Sequence, residues 1–341
     1  MKILICTGIY PPHLGGPAQY AVGLEQAFRR RGDSVSVLTY GVERKIPVFF
    51  RHVLFFFRTL VTLRGVDMTI ALDTFSVGVP SAWACRLLGK KIIVRVGGDF
   101  IWEQYVERMR EPVLLREFYI PAHMSRFSLK ERIIFFLTRQ MFSMVDAIVF
   151  STAWQRDIFR APYRLDMRKV SIIENFYGPK IEYRPVQNER KVFVATARRL
   201  FLKNHDMLKQ AIEMARAVDP SIDVDFSNVP HENFLKKIQE SYAVILVSFG
   251  DISPNMILDA IRCNKPFVLT KENGLTDRIG DTALYVDPCS VSDITEKILA
   301  LSSPEVYEKQ LHALQQFSFV HTWDDIAHEF IKLHMPHASS L

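Results

Sequence analysis

Short apolar runs bounded by glycine, proline or polar residues recur along the chain: "KILICTG" from residue 2, "SVSVLTYG" from 34, "MTIALD" from 68, "KIIVRVGG" from 91 and "AIVFST" from 147. Each reads as a short buried strand. The intervals between them are long enough for a crossover helix, which predicts a doubly wound parallel sheet. The same alternation restarts beyond the polar, proline-containing stretch "NFYGPKIEYRPVQNERK" (175–191), with "KVFVATA", "SIDVDFSNV", "AVILVSFG", "PFVLTK" and "ALYVD" as a second set of strands. The pattern predicts a first Rossmann-like α/β domain over 1–176, a second over 177–322, and a last amphipathic helix, "WDDIAHEFIKLH", within 323–341, a candidate to cross back to the first domain. Two such domains in tandem place a ligand-binding crevice at the carboxyl ends of the strands.

Length and composition agree with two cores. At 341 residues, 48% apolar and 23% charged, the chain has material for two compact units and no low-complexity tract. Cys6, Cys85, Cys263 and Cys289 are widely separated and form no CxxC pair, which argues against a zinc site or a disulfide framework. The first apolar run meets Pro11 and Pro12 too early for a signal-peptide core, and no apolar stretch approaches a membrane span.

Charge adds an asymmetry. Residues 1–180 carry 26 Lys and Arg against 15 Asp and Glu, whereas the remainder carries 17 against 22. A basic first half points to an anionic surface or substrate. No helix-turn-helix, zinc-finger or RNA-recognition pattern accompanies it, so nucleic acid is not the expected partner. The segment "IPVFFRHVLFFFRTLVTLR" (46–64) is unusually aromatic. At helical spacing Arg51, Arg58 and Thr62 share one stripe, flanked by His52 and Thr59, while Phe49, Phe50, Val53, Phe56, Phe57, Leu60 and Val61 fill the other side. Such a helix either packs in a core with a thin solvated edge or lies in an anionic membrane surface. The run "SRFSLKERIIFFLTRQMF" (125–142) has the same basic and aromatic character.

Candidate chemistry concentrates in "FGDISPNMILDAI" (249–261). Ser253 suits an N-cap and Pro254 a first helical position, leaving the amides of Asn255 and Met256 as donors for a phosphate. Asp251 lies on the loop before that helix start. Asp259, more than one turn inside, is placed to accept from ribose hydroxyls or else is a solvated surface residue.

The carboxylate-x7-carboxylate spacing of Asp251 and Asp259 resembles the E-x7-E signature of the retaining GT-B glycosyltransferases of family four, with both acids shortened to Asp. The resemblance runs in order along nearly the whole chain. "VATARRLFLKNHDMLKQA" (194–211) is similar to the family's strand, arginine, loop, lysine and helix element, and implies that Arg198, or Arg199 if the register shifts, and Lys203 clamp a diphosphate. Asp251 would contact the donor sugar and Asp259 the ribose. "SNVPHENFLKKIQESYAVILVS" (227–248) resembles the segment bordering the nucleotide base, with Val229 and His231 as candidates, the histidine equally an ordinary helix-start residue. The "GIYPPHLGGPAQ" loop resembles the family's Gly-Gly loop, which meets the donor phosphates. Its Gly15 and Gly16 let backbone approach a ligand, and it is not the GxGxxG of dinucleotide enzymes. The family histidine has no counterpart near Gly97 in "RVGGDFIWEQ"; Asp99, with Glu103 behind it, is the nearest polar group for an acceptor-side role, or else a turn or cap acid.

The resemblance implies a metal-independent transferase with retention of configuration, using a nucleotide-diphosphate sugar as substrate and no cofactor. It implies a glycan or lipid-linked acceptor held by the first domain, in polysaccharide biosynthesis. The expected location is cytoplasmic, with an anionic membrane surface as a candidate partner. A nucleotide-sugar epimerase of the same fold and a non-catalytic sugar-binding or membrane-surface protein are the alternatives.

Overall fold

The computed structural model describes residues 1–335 except 14, 42, 44, 45, 186–189 and 230, and leaves the side chains of 48, 49, 231 and 232 undescribed. Expectations for Phe49, for the side chain of His231 and for linker positions 186–189 therefore lie outside the described residues.

The chain divides into two compact units. The first contains Met1–Ile101, Pro121–Phe176 and the chain from His321 onward; the second contains Trp102–Ile120 and Tyr177–Val320. The first holds a six-stranded sheet of β1 (Lys2–Thr7), β2 (Ser34–Thr39), β3 (Met68–Ala71), β4 (Ile92–Val96), β5 (Ala147–Phe150) and β6 (Val170–Ile172). Their order is β2-β1-β3-β4-β5-β6 and every pairing is parallel. β3, β4 and β5 are buried at every residue, as the covered interior of a parallel sheet requires. The three-residue β6 was not among the expected strands; a run as short as "VSI" carries no periodicity to detect.

The second unit holds β7 (Lys191–Val194), β8 (Ile222–Asp225), β9 (Ala243–Leu246), β10 (Phe267–Thr270) and β11 (Leu284–Val286) in the order β11-β10-β9-β7-β8, again all parallel. β7 has β8 on one side and β9 on the other, so the connections leaving β7 and β9 diverge to opposite directions along the sheet. That switch point opens a crevice at the carboxyl ends of these two strands. In the first sheet the corresponding point lies between β1 and β3.

Two expectations are revised by the packing, for residues 102–120 and for the helix Val48–Thr62, while the last helix crosses back to the first unit as anticipated. Residues 102–120, placed with the first domain on sequence, cluster with the second unit because their side chains are taken up there. Trp102 and Leu115 fill the space beside Gly250, where a Cβ would come within 2.8 Å of the Leu115 Cβ, and Arg116 pairs with the buried Glu272 at 2.7 Å. The helix Trp323–His334 packs with the first unit, its Ile326, Ala327, Phe330 and Ile331 in that core.

The helix Val48–Thr62 is turned over relative to a solvated-arginine orientation. Arg51 Nε donates to the Ile46 carbonyl at 2.9 Å, Arg58 donates to the Thr39 carbonyl and pairs with the fully buried Glu43, and Thr59 is buried, while Phe50, Val53, Phe57 and Val61 face water. A buried carboxylate needs a cation. Satisfying Glu43 fixes which face of the helix points inward.

Candidate active site

The carboxyl ends of β7 and β9 carry most of the residues singled out on sequence. Beyond β7 the chain runs through Arg198 and Arg199, both exposed, into a short 3-10 turn, Phe201–Lys203. Asn204 ends that turn in the left-handed region at φ 58°, a conformation asparagine tolerates better than most residues. Its amide then donates to the Val247 carbonyl at 3.0 Å and the Pro288 carbonyl at 2.7 Å, tying the exits of β7, β9 and β11 together. Lys203 is thereby aimed at the loop leaving β9. Its Nζ lies 2.6 Å from Asp251 Oδ2, and the same oxygen accepts from Ser248 Oγ at 2.7 Å.

Asp251 is held through its backbone. Its N–H donates to the Glu272 carbonyl at 2.9 Å, and it forms an isolated bridge with Asn273. On the other side of Lys203, Glu107 accepts from the Leu202 N–H at 3.1 Å. The Lys203 and Asp251 side chains retain 14% and 18% exposure, so the pair is largely desolvated yet reachable. The two form an ion pair at 2.6 Å, and a phosphate presented to the ammonium would compete with the carboxylate for it.

The following helix begins one residue later than the sequence suggests. It spans Asn255–Arg262 with Pro254, not Ser253, at the N-cap, and no side chain caps it. Backbone bonds from Asp251 to Glu272 and from Gly274 to Asp251 and Ile252 anchor the loop, and Pro254 is extended at ψ 115°, so helical dihedrals start at Asn255. The Pro254 carbonyl accepts from Ile257 and Leu258, which puts the amides of Asn255 and Met256 in the first turn at the end of the Asp251 loop. The macrodipole's positive end points the same way.

Asp259, further along, is not part of the Lys203 cluster. It lies 3.6 Å from Arg262, and burial pushes its pKa up to about 6. Val229 is half-buried in the connection after β8, whose exit neighbours that of β7.

In the first unit, Gly15 stands at φ 143°, a region open to glycine, and N-caps the helix Gly16–Arg30, with Pro17 in its first turn. Asp99 is buried and its Oδ1 accepts from the Ile101 N–H at 3.1 Å, which is the work of a helix-start acid. Gly97 is exposed, and a Cβ there would come within 2.8 Å of Arg95 Nη1. The buried Arg95 guanidinium donates to Asn175 Oδ1 at 2.7 Å and lies 3.7 Å from the Tyr20 ring centroid.

Sequence reasoning passed over Ser248, Asn204 and Asp73. Asp73, at the exit of β3, accepts from the Val77 N–H at 3.0 Å and sits against Gly8, and burial holds its carboxyl above the usual range. The one signal available for Asn204 was an asparagine between a lysine and a helix start. Among the described residues no group of three His, Cys, Asp or Glu side chains is placed to hold a metal ion.

Comparison with known proteins places this geometry in a fold class. Solved structures that match over nearly the whole chain include sucrose-phosphate synthase from Thermosynechococcus elongatus, at 12% identity and TM-score 0.70, covering 98% of each chain. WaaG, a glycosyltransferase involved in lipopolysaccharide biosynthesis, matches at 12% identity and TM-score 0.67, over 96% of this chain and 98% of that one. A UDP-N-acetylglucosamine 2-epimerase matches at 10% identity and TM-score 0.58, over 97% and 94%. The fold is therefore GT-B: two parallel α/β sheets, of six and five strands, with flanking helices. No protein-family model matches the sequence, and no curated protein matches it.

Proposed function

We propose that the protein is a glycosyltransferase that moves a hexosyl group from a nucleotide-diphosphate sugar to a glycan or lipid-linked acceptor, with retention and without a metal or cofactor. The observation that carries this is the Lys203–Asp251–Ser248 cluster at the β7/β9 switch point, beside the first-turn amides of the helix Asn255–Arg262. Glycosyl transfer from a nucleotide sugar releases a diphosphate, and fixed positive charge is what stabilises that leaving group. Lys203, one of the exposed arginines at 198 and 199, and the helix end supply it. Asp251, released from Lys203 as the diphosphate takes the ammonium, is assigned the donor sugar, Asp259 the ribose and Val229 the base. In the first unit, Gly15 and Gly16 expose backbone for a phosphate and Asp99 is assigned to the acceptor side.

With no side chain standing out as nucleophile, the departing diphosphate oxygen is assigned the proton of the incoming hydroxyl, which delivers the sugar with retention. The basic first half supports a cytoplasmic enzyme attached to the membrane periphery and making envelope polysaccharide.

The test is release of nucleoside diphosphate from a panel of nucleotide sugars. Removing a well-placed donor of this kind costs about 3 kcal/mol, so Lys203→Ala and Arg198→Ala are expected to lower turnover about 100-fold at unchanged melting temperature. Near-wild-type turnover in both overturns the assignment. The epimerase reading, kept open by the fold neighbour of that activity, predicts a free, altered sugar in the absence of any acceptor.

A further inference from the structure

The outward face of the helix Val48–Thr62 is the least expected surface of the first unit. Phe50, Val53, Phe57 and Val61 recur at helical spacing on one side and are 57%, 49%, 57% and 80% exposed. A surface helix in water normally buries such a stripe. Here the arginines are engaged by the protein instead, as Glu43 and the carbonyls of Ile46 and Thr39 require.

The stripe continues onto its neighbours. The helix Gly78–Leu87 packs beside Val48–Thr62, and the helix Leu129–Met144 packs beside Gly78–Leu87. The middle helix exposes Trp83 and Leu87. The third exposes Leu129, Ile133 and Phe136, again at helical spacing. A monomeric soluble protein rarely leaves apolar surface open on three adjacent elements.

Charge says what covers it. The helices Val48–Thr62 and Gly78–Leu87 contain no acidic residue, and the only one in Leu129–Met144, Glu131, is buried in that helix's own capping box. Arg86, Lys130 and Arg132 are exposed on the same helices. An apolar face with exposed cations and no exposed carboxylate complements an anionic lipid surface, where rings enter the headgroup boundary and ammonium and guanidinium groups meet phosphates. No helix among the described residues is long and apolar enough to cross a membrane, so contact by this face would be interfacial.

We propose that the outer faces of the helices Val48–Thr62, Gly78–Leu87 and Leu129–Met144 together form a docking surface for an anionic bilayer. The proposal specifies the surface behind the peripheral attachment suggested above and does not depend on the transfer chemistry.

Vesicle flotation of the full chain tests it. The protein is expected to float with vesicles of phosphatidylcholine and phosphatidylglycerol, and much less with phosphatidylcholine alone. The pairs Phe50→Ser with Phe57→Ser, and Ile133→Ser with Phe136→Ser, should each lower affinity about tenfold or more. Arg86→Glu and Lys130→Glu should each lower it about fivefold at low salt. All these side chains are exposed, so unchanged melting curves are expected, and an unchanged rise in melting temperature with UDP or GDP would show the nucleotide site intact. Failure of the unaltered protein to float, or flotation indifferent to the serine pairs, overturns the proposal. So does a lipid-free dimer in sedimentation equilibrium that the serine pairs dissociate, which would assign the face to a second copy of the chain.

Discussion

Asp259 shows how a buried carboxylate weighs on stability once it is ionised. Burial raises its pKa from 3.8 to about 6, and the Arg262 charge offsets only part of that effect. A folded pKa above the unfolded one means the native state holds the proton more tightly. The contribution to stability is therefore fully present below about pH 4 and lost as pH rises through about 6. At pH 8 the charged form costs stability, and Asp259→Asn is expected to be more stable than the unaltered protein there, by on the order of 1–2 kcal/mol once the lost Arg262 pairing is counted. The advantage should vanish near pH 4. Urea unfolding at the two pH values measures it, and equal effects at both would show that the carboxylate is not desolvated. If the charge is retained for a ribose, the same variant should lose most of the melting-temperature rise produced by UDP or GDP. At this scale the sequence exposed the acids and the lysine through their spacing. It hid Ser248 and Asp73, because a lone serine or aspartate after a strand has many structural uses and only the closure of loops around it reveals its partner.

At the scale of elements, the site depends on how the exits of β7, β9 and β11 are held. Asn204 does this with one backbone conformation and two buried amide bonds. Asn204→Ala should cost about 2–4 kcal/mol, from two carbonyls left without donors plus a Cβ residue forced into the left-handed region. Asn204→Gly keeps the dihedral angles and loses the bonds, so it should recover about 1 kcal/mol of that in denaturant unfolding. Both should reduce turnover by displacing Lys203; if both variants match the unaltered protein in stability, the tie is not structural. Strand positions were legible because buried parallel strands announce themselves as apolar runs. Helix orientation was not. In Val48–Thr62 the stripe carrying Arg58 turns inward, and that choice rests on Glu43, a buried acid lying outside the helix. The helix start at Asn255 slipped by one residue for a similar reason, since bonds from Asp251 and Gly274 anchor the loop that leads into it and Pro254 is extended.

At the scale of the whole molecule, two repeating α/β patterns made the GT-B architecture readable. Where individual segments belong was less so, since Trp102–Ile120 and the chain from His321 onward are claimed by side-chain contacts far away in sequence. The last helix gives the sharpest consequence. In the first unit Trp323 stacks on Phe176 at a centroid distance of 5.1 Å and meets Tyr20 edge-on at 5.2 Å, and Arg30 pairs with Asp324 at 2.8 Å. Its ring lies where Gly23 would carry a Cβ. Ending the chain at Val320 would uncover the partners of Ile326, Phe330 and Ile331. At about 1.5–3 kcal/mol for each large apolar side chain, that loss rivals the entire stability of an ordinary domain, and the first unit should fail to fold. A gentler test separates close packing from general burial. Gly23→Ala drives a methyl group into the Trp323 ring and should cost about 1–3 kcal/mol, while Trp323→Ala should cost about 3–5 kcal/mol by opening a cavity. Because the alanine methyl can occupy the space the indole leaves, the double variant should be more stable than the sum of the two losses predicts, by about 1 kcal/mol or more. Strict additivity in chemical unfolding would mean that Gly23 and Trp323 are not in contact, and that the last helix is held to the first unit by its aliphatic face alone.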